Sequence, residues 1–137
     1  MFDDLLKMAQ KENERQNNEF LPESNADVYW EKIKNEAEFN IHVIDGKYAG
    51  FVAFYCNNKD SKESYITLIM VSPKFRGKKI GSGLIDYVLA ISRLRGFTRC
   101  SLEVKKTNKD AINIYESKGF SVFQELEKSF IMKTNLY

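Results

Sequence analysis

Cysteine, proline, histidine and tryptophan are all scarce in this 137-residue chain: two, two, one and one respectively. Two cysteines cannot build a disulfide scaffold. Cys56 and Cys100 both sit in apolar, strand-like stretches and read as buried free thiols, which makes a reducing cytoplasm the expected compartment. The single histidine, His42, has no Ser or Cys motif beside it, so a nucleophile–histidine pair is not expected, nor is a metal site. No apolar run approaches the roughly 18–20 residues of a membrane span. Residues 1–16 are polar and of mixed charge, unlike a signal peptide. Two nucleotide-binding loops are missing as well. The phosphate-loop pattern G-x-x-x-x-G-K-[ST] is absent, and a G-x-G-x-x-G beginning at Gly81 and Gly83 meets Asp86 in its third place.

The composition that remains, 43% apolar and 29% charged, is that of an ordinary globular chain. With no internal repeat or low-complexity linker, one domain over residues 1–137 is expected. The formal net charge is only +2, but it is unevenly spread. Residues 1–38 carry ten acidic and five basic side chains; residues 72–109 carry ten basic and two acidic ones. The basic half suits an anionic ligand. A solvated charged face and a nucleic-acid surface are the other readings, the last weakened by the acidic N-terminal third and the lack of a recognisable nucleic-acid module.

The most informative stretch is 71–84. An apolar strand, Ile66 to Val71, meets a short basic, glycine-bearing turn that opens into an amphipathic segment with Ile80, Leu84, Val88 and Ile91 on one helical face. A helix N-terminus has unpaired backbone N–H groups and the positive end of the helix dipole, so this junction is an anion site. Arg76, Lys78 and Lys79 add full charges, and a diphosphate is the ligand these features suit.

Arg76-Gly77-Lys78-Lys79-Ile80-Gly81 resembles the R/Q-x-x-G-x-G/A signature for acyl-coenzyme A in the GNAT family of N-acetyltransferases. A second block, Leu102-Glu103-Val104 followed by Asn108, Ala111, Tyr115, Gly119 and Phe120, is similar to that family's L-x-V…N-x-x-A-x-x-x-Y-x-x-x-G-F run. Its cofactor half looks especially similar to ribosomal-protein N-terminal acetyltransferases. The resemblance covers roughly residues 64–121. It implies acetyl-coenzyme A as co-substrate, no metal, and direct acetyl transfer to a primary amine in a ternary complex. A catalytically silent acyl-coenzyme A-binding or regulatory module is the alternative. The acceptor, a small molecule or a protein amine, stays open, and so does a homodimer through the closing strands. Neither a nucleic acid nor a membrane is expected as partner.

The patterns of apolar residues, glycines and polar breaks predict helices over 2–17 and 26–36, the second carrying Val28, Trp30 and Ile33. A strand through Ile41 and Val43 turns at Asp45-Gly46 into Tyr48–Cys56. A strand over 64–71, a helix closed by Gly96, a strand over 98–104, a helix over 109–117 and strands over 120–124 and 129–133 follow. The order ααββ-β-α-β-α-ββ points to an α/β (α+β) fold, a mixed and mostly antiparallel sheet flanked by helices.

By the resemblance, amides of residues 77–82 (Gly77, Lys78, Lys79, Ile80, Gly81 and Ser82) would hold the diphosphate, and backbone groups of Met70 and Val71 would pair with the pantetheine arm. Lys79 stands where the family usually has glycine; a helical φ there would tolerate the side chain, and helical φ is the expectation. Tyr115 is the candidate general acid, a phenol with a reference pKa near 10, close to that of an alkanethiol. Glu103, the sole carboxylate of its strand, is the candidate general base; a solvent-facing glutamate paired with Lys105 or Arg99 is the other reading. Asn108 would bond the cofactor, cap the following helix, or both. Trp30, Phe20 and Tyr29 read equally as acceptor-pocket walls and as core.

Overall fold

The computed structural model describes every residue except 18, 19 and 22–25, so most of the break predicted over 17–25 lies outside the described residues. The chain order is α1 (Phe2–Arg15), α2 (Ala26–Glu36), β1 (Glu38–Ile44), β2 (Lys47–Tyr55), β3 (Glu63–Val71), a 3-10 turn (Pro73–Phe75), α3 (Ile80–Leu94), β4 (Arg99–Lys105), α4 (Lys109–Ser117), β5 (Ser121–Glu125) and β6 (Ser129–Asn135). The fold class and element order agree with those expected from the sequence, with boundaries moved by one or two residues at most ends.

The strands form one six-stranded sheet in the order β1-β2-β3-β4-β6-β5. Every pairing is antiparallel except β3 with β4, the two strands joined through α3. Asp45 and Gly46 both have positive φ, 49° and 76°, as the tight turn between β1 and β2 requires. The continuous apolar run of β2 is explained by burial on both faces. Val52 and Phe54 join a core under α3 and α4 with Leu84, Val88 and Leu102, while Phe51 and Ala53 join a second core under α1 and α2 with Leu5, Ala9 and Ile33. Each large apolar side chain so buried contributes roughly 1.5–3 kcal/mol before entropy is counted. Val28 does not belong to the buried face of α2. It is 66% exposed, and Ile33 with partly buried Tyr29 and Trp30 makes that face instead.

The irregularity that shapes the centre of the sheet lies in β3. Ala53 pairs with Leu68 and Phe54 with Ile66, which leaves Thr67 as an extra residue in the ladder. The bulge turns the strand over: Ile66 faces the α3–α4 core, whereas Leu68 and Met70 face the α1–α2 core. Pairing between β3 and β4 stops at the same level, Ile66 opposite Leu102, and the two strands separate beyond it.

Cys56 and Cys100 are buried free thiols, as expected. Burial pushes the Cys100 thiol up to about 11, the opposite of an activated nucleophile. Among the described residues, no helix is long and apolar enough to cross a membrane.

Candidate active site

The turn before α3 is built from alternating backbone hands. Arg76 is extended (φ −69°, ψ 153°), Gly77 has φ 82°, Lys79 has φ 61° and ψ 23°, and α3 begins at Ile80. The helical φ expected of Lys79 is therefore corrected: this residue is left-handed and stands as the N-cap of α3. Entry from an extended strand end into the helix needs a second reversal after Gly77, and Lys79 makes it. A lysine in this region costs on the order of 1 kcal/mol or more. The first helical bond of this region runs from the Gly83 N–H to the Lys79 carbonyl at 3.1 Å. Among the described residues, the amides of Gly77 through Ser82 donate to no protein acceptor. Left-handed turns of this kind gather N–H groups into an anion-binding concavity, and the α3 dipole adds to it.

Three cations of the turn behave differently. Lys78 and Lys79 are exposed, with Lys78 Nζ 5.6 Å from the Phe75 ring centroid. Arg76 is committed elsewhere: its Nη2 donates to Glu12 Oε1 at 3.0 Å and its Nε to the Val71 carbonyl at 3.3 Å.

The two backbone positions at the end of β3 also separate. A Cβ on Gly50 would come within 2.7 Å of the Met70 carbonyl oxygen, which therefore points at β2. The ladder continues through the Ser72 N–H to the Ala49 carbonyl at 2.8 Å. Antiparallel alternation then commits the Met70 backbone groups to β2 and turns those of Val71 toward the opening beside β4.

A cleft of about 760 Å³ lies where β3 and β4 separate; its lining reaches Ile69 on β3 and does not include Met70 or Val71. Thr67, Leu68 and Ile69 form one wall, Glu103 through Asn108 the other, and Gln16, Phe20, Leu21 and Tyr29 a third. Tyr29 OH donates to the Thr67 carbonyl at 2.9 Å, satisfying a backbone group that the bulge has removed from the ladder. The loop Glu127–Ser129 closes the far rim, held by the Lys106 N–H to the Lys128 carbonyl at 3.0 Å and by Lys106 Nζ to Glu125 at 2.7 Å.

Inside the cleft stands Glu103, exposed, with Oε2 accepting from Ser129 Oγ at 2.6 Å. Its partner is Ser129 rather than Lys105 or Arg99. Tyr65 lines the same cleft, and burial together with the Glu103 charge pushes its phenol up to about 12, so it is neutral. Asn108 caps α4, Oδ1 accepting from the Ala111 N–H at 3.2 Å, and also borders the cleft. Phe20 and Tyr29 are wall residues, whereas Trp30 packs 5.2 Å from Phe2 in the α1–α2 core.

Tyr115 is not among the residues that line the cleft. It is 6% exposed, 5.8 Å from Phe120 between ring centroids, and burial with the nearby Cys100 thiol pushes its phenol well above the ordinary range. Glu103 and Asn108 thus share the cleft, whereas residues 77–82, with their unpaired amides, stand apart from its lining at the mouth of α3. Sequence reasoning passed over Tyr65, Ser129 and Glu12. Ser129 carries no signal of its own, since only the pairing of β4 with β6 sets it beside Glu103.

A sequence profile of the Acetyltransferase (GNAT) family matches residues 3–120. The chain is 37% identical over 95 residues to an uncharacterized N-acetyltransferase of Methanocaldococcus jannaschii, covering 66% of this chain and 42% of that one. It is 32% identical over 113 residues to spermidine N(1)-acetyltransferase of Escherichia coli K12, covering 78% of this chain and 58% of that one. The matched part of this chain spans about two fifths to three fifths of the length of these relatives. In fold it is similar to the PaiA N-acetyltransferase of Thermoplasma acidophilum, solved in complex with coenzyme A, with a TM-score of 0.77, 17% identity, and coverage of 98% and 92% of the two chains. The chain belongs to the Acetyltransferase (GNAT) family.

Proposed function

We propose that this chain transfers an acetyl group from acetyl-coenzyme A to a primary amine. The observation that carries the reading is the turn Arg76–Lys79, which leaves the amides of residues 77–82 uncommitted at the start of α3, near the end of a strand separated from its neighbour. The diphosphate of the cofactor is the ligand for those amides, with Lys78 and Lys79 supplying charge. The Val71 N–H, turned away from β2, is the group offered to the pantetheine arm, its carbonyl being held by Arg76 Nε.

The acceptor enters the cleft walled by Phe20, Tyr29 and Tyr65 as a small or protein-borne amine. Glu103, with one oxygen bonded by Ser129, takes the proton from the ammonium directly or through water. The amine nitrogen then attacks the thioester carbonyl carbon, and the carbon–sulfur bond breaks as the amide forms. The departing thiolate receives a proton from Tyr115, and the phenolate so formed recovers one, directly or through water, from the nitrogen as it becomes the amide. A backbone donor near the thioester oxygen would stabilise the developing oxyanion by about 3 kcal/mol, as in other acyl-transfer sites. No covalent enzyme intermediate is required, and the raised Cys100 thiol offers none.

The burial of Tyr115 away from the cleft lining favours a second reading, a silent acyl-coenzyme A-binding module. Calorimetry with coenzyme A and an amine panel scored by thiol release distinguish the two. Uptake with thiol release supports the transferase, uptake with no release over a broad panel the silent module, and no uptake sinks both.

A further inference from the structure

Helix α1 places a carboxylate where its apolar stripe should continue. Leu5 and Ala9 are fully buried, and Glu12, three residues further on the same face, is only 4% exposed. A buried carboxylate is costly unless donors surround it. Two of the donors are local: Arg15 reaches Oε1 with Nε at 3.0 Å and Nη2 at 2.8 Å, and Gln16 Nε2 reaches Oε2 at 2.6 Å. The third, Arg76, comes from 64 positions along the chain.

Arg76 is the residue immediately before the two positive-φ positions of the anion turn. With Nη2 on Glu12 Oε1 and Nε on the Val71 carbonyl, its guanidinium joins α1, the end of β3 and the turn at one point. Glu12 is shared between Arg15 and Arg76, so this cluster keeps one net positive charge beside the turn, while Lys78 and Lys79 extend from the turn itself. Gln16, bound to the other oxygen of Glu12, lines the cleft. One carboxylate therefore ties a wall of the acceptor cleft to the turn that would hold the cofactor.

We propose that Glu12 is a positioning residue for the diphosphate turn, acting through Arg76 and never touching the ligand. This rests on the coenzyme A reading given above. An amide array binds an anion well only when its N–H groups converge, and the Glu12–Arg76 pair fixes the residue from which that array starts.

Three variants test this, Glu12→Leu, Glu12→Gln and Arg76→Leu, each measured by calorimetry with coenzyme A and by steady-state kinetics. Leucine continues the apolar stripe, so Glu12→Leu is expected to fold; circular dichroism checks that. Its affinity for coenzyme A should fall about tenfold, with a matching rise in KM for acetyl-coenzyme A and a kcat within about twofold of the parent. Glu12→Gln keeps an acceptor oxygen for Arg76 and should recover most of the loss, ending about threefold weaker. The double variant Glu12→Leu/Arg76→Leu should be no weaker than the worse single one, because both break the same link. A folded Glu12→Leu that binds coenzyme A like the parent overturns the role, as does a double variant whose losses add. Should Glu12→Leu fail to fold, Glu12→Gln carries the test, and unchanged affinity in it overturns the role. A parent chain that takes up no coenzyme A overturns the cofactor reading itself, and the positioning role with it.

Discussion

Tyr29 donates its hydroxyl to the carbonyl of Thr67 at 2.9 Å, the one residue that the β2–β3 ladder leaves unpaired at Ala53/Phe54. The bond pins α2 to the level at which β3 and β4 part. Replacing Tyr29 with Phe keeps the ring and strands a part-buried carbonyl. The expected cost is about 1 kcal/mol, a shift of roughly 3–5 °C in melting temperature. Thermal unfolding that moves by less than about 1 °C would show the bulge carbonyl to be satisfied by water instead.

Gly50 lies against its neighbouring strand without room for a side chain. A Cβ there would come 2.7 Å from the Met70 carbonyl oxygen and 3.3 Å from the Val71 Cα, both backbone atoms. Gly50→Ala should therefore destabilise by about 1–3 kcal/mol and disturb the end of β3 that borders the anion turn. Urea unfolding gives the free energy. A neutral result would mean that the two strands separate at no cost.

Lys79 carries a left-handed backbone with a side chain attached. Lys79→Gly relieves that strain while adding freedom to the unfolded chain, so stability should stay within about 1 kcal/mol of the parent. Lys79→Val, β-branched in the same conformation, should lose about 1–2 kcal/mol more than the glycine variant. Equal melting temperatures for the two would mean that the position relaxes to an ordinary helical φ.

For the chemistry, Tyr115→Phe should lower kcat by about 10²-fold or more and leave coenzyme A affinity in place, since the ring packing against Phe120 survives. Glu103→Gln should lower kcat over a similar range while keeping an acceptor for the Ser129 hydroxyl. Full activity in the phenylalanine variant would move the proton donor elsewhere, with the neutral Tyr65 in the cleft as the next residue to replace.

Acid should weaken the fold through Glu12. Burial raises its carboxyl, but the bonds from Gln16, Arg15 and Arg76 outweigh burial and hold it below its ordinary value. A carboxylate lowered on folding contributes stability that is complete above its unfolded pKa and is lost as pH falls through the folded one. The advantage of the parent over Glu12→Gln should therefore be full at neutral pH and shrink below about pH 4. Glu38, lowered by hydrogen bonds from Arg95, titrates in both proteins and cancels in the comparison. Melting curves at neutral and acid pH measure the gap; one that widens on acidification has the wrong sign.

Much of this protein is written locally. The apolar run over 48–56 says that a strand lies there, Asp45-Gly46 says where the chain reverses, and the basic glycine turn says where an anion would bind. These are readable because hydrophobic period, turn handedness and helix-end amides depend on a few consecutive residues. Lys79 escaped because Gly77 announces one reversal, whereas the number of reversals is set by the direction from which the strand meets the helix. The placement of Tyr115 in the core, away from the cleft lining, was likewise invisible in the α4 sequence.

Sequence alone determined the elements and their order, because each is specified within one or two turns of chain. Tertiary structure alone decided that β6 lies between β4 and β5 and so sets Ser129 on Glu103, that Thr67 is squeezed out to open the sheet, and that Glu12 reaches Arg76. Such contacts join residues tens of positions apart. What fixes them is the joint packing of two cores on one twisted sheet, a property that no short stretch of chain carries.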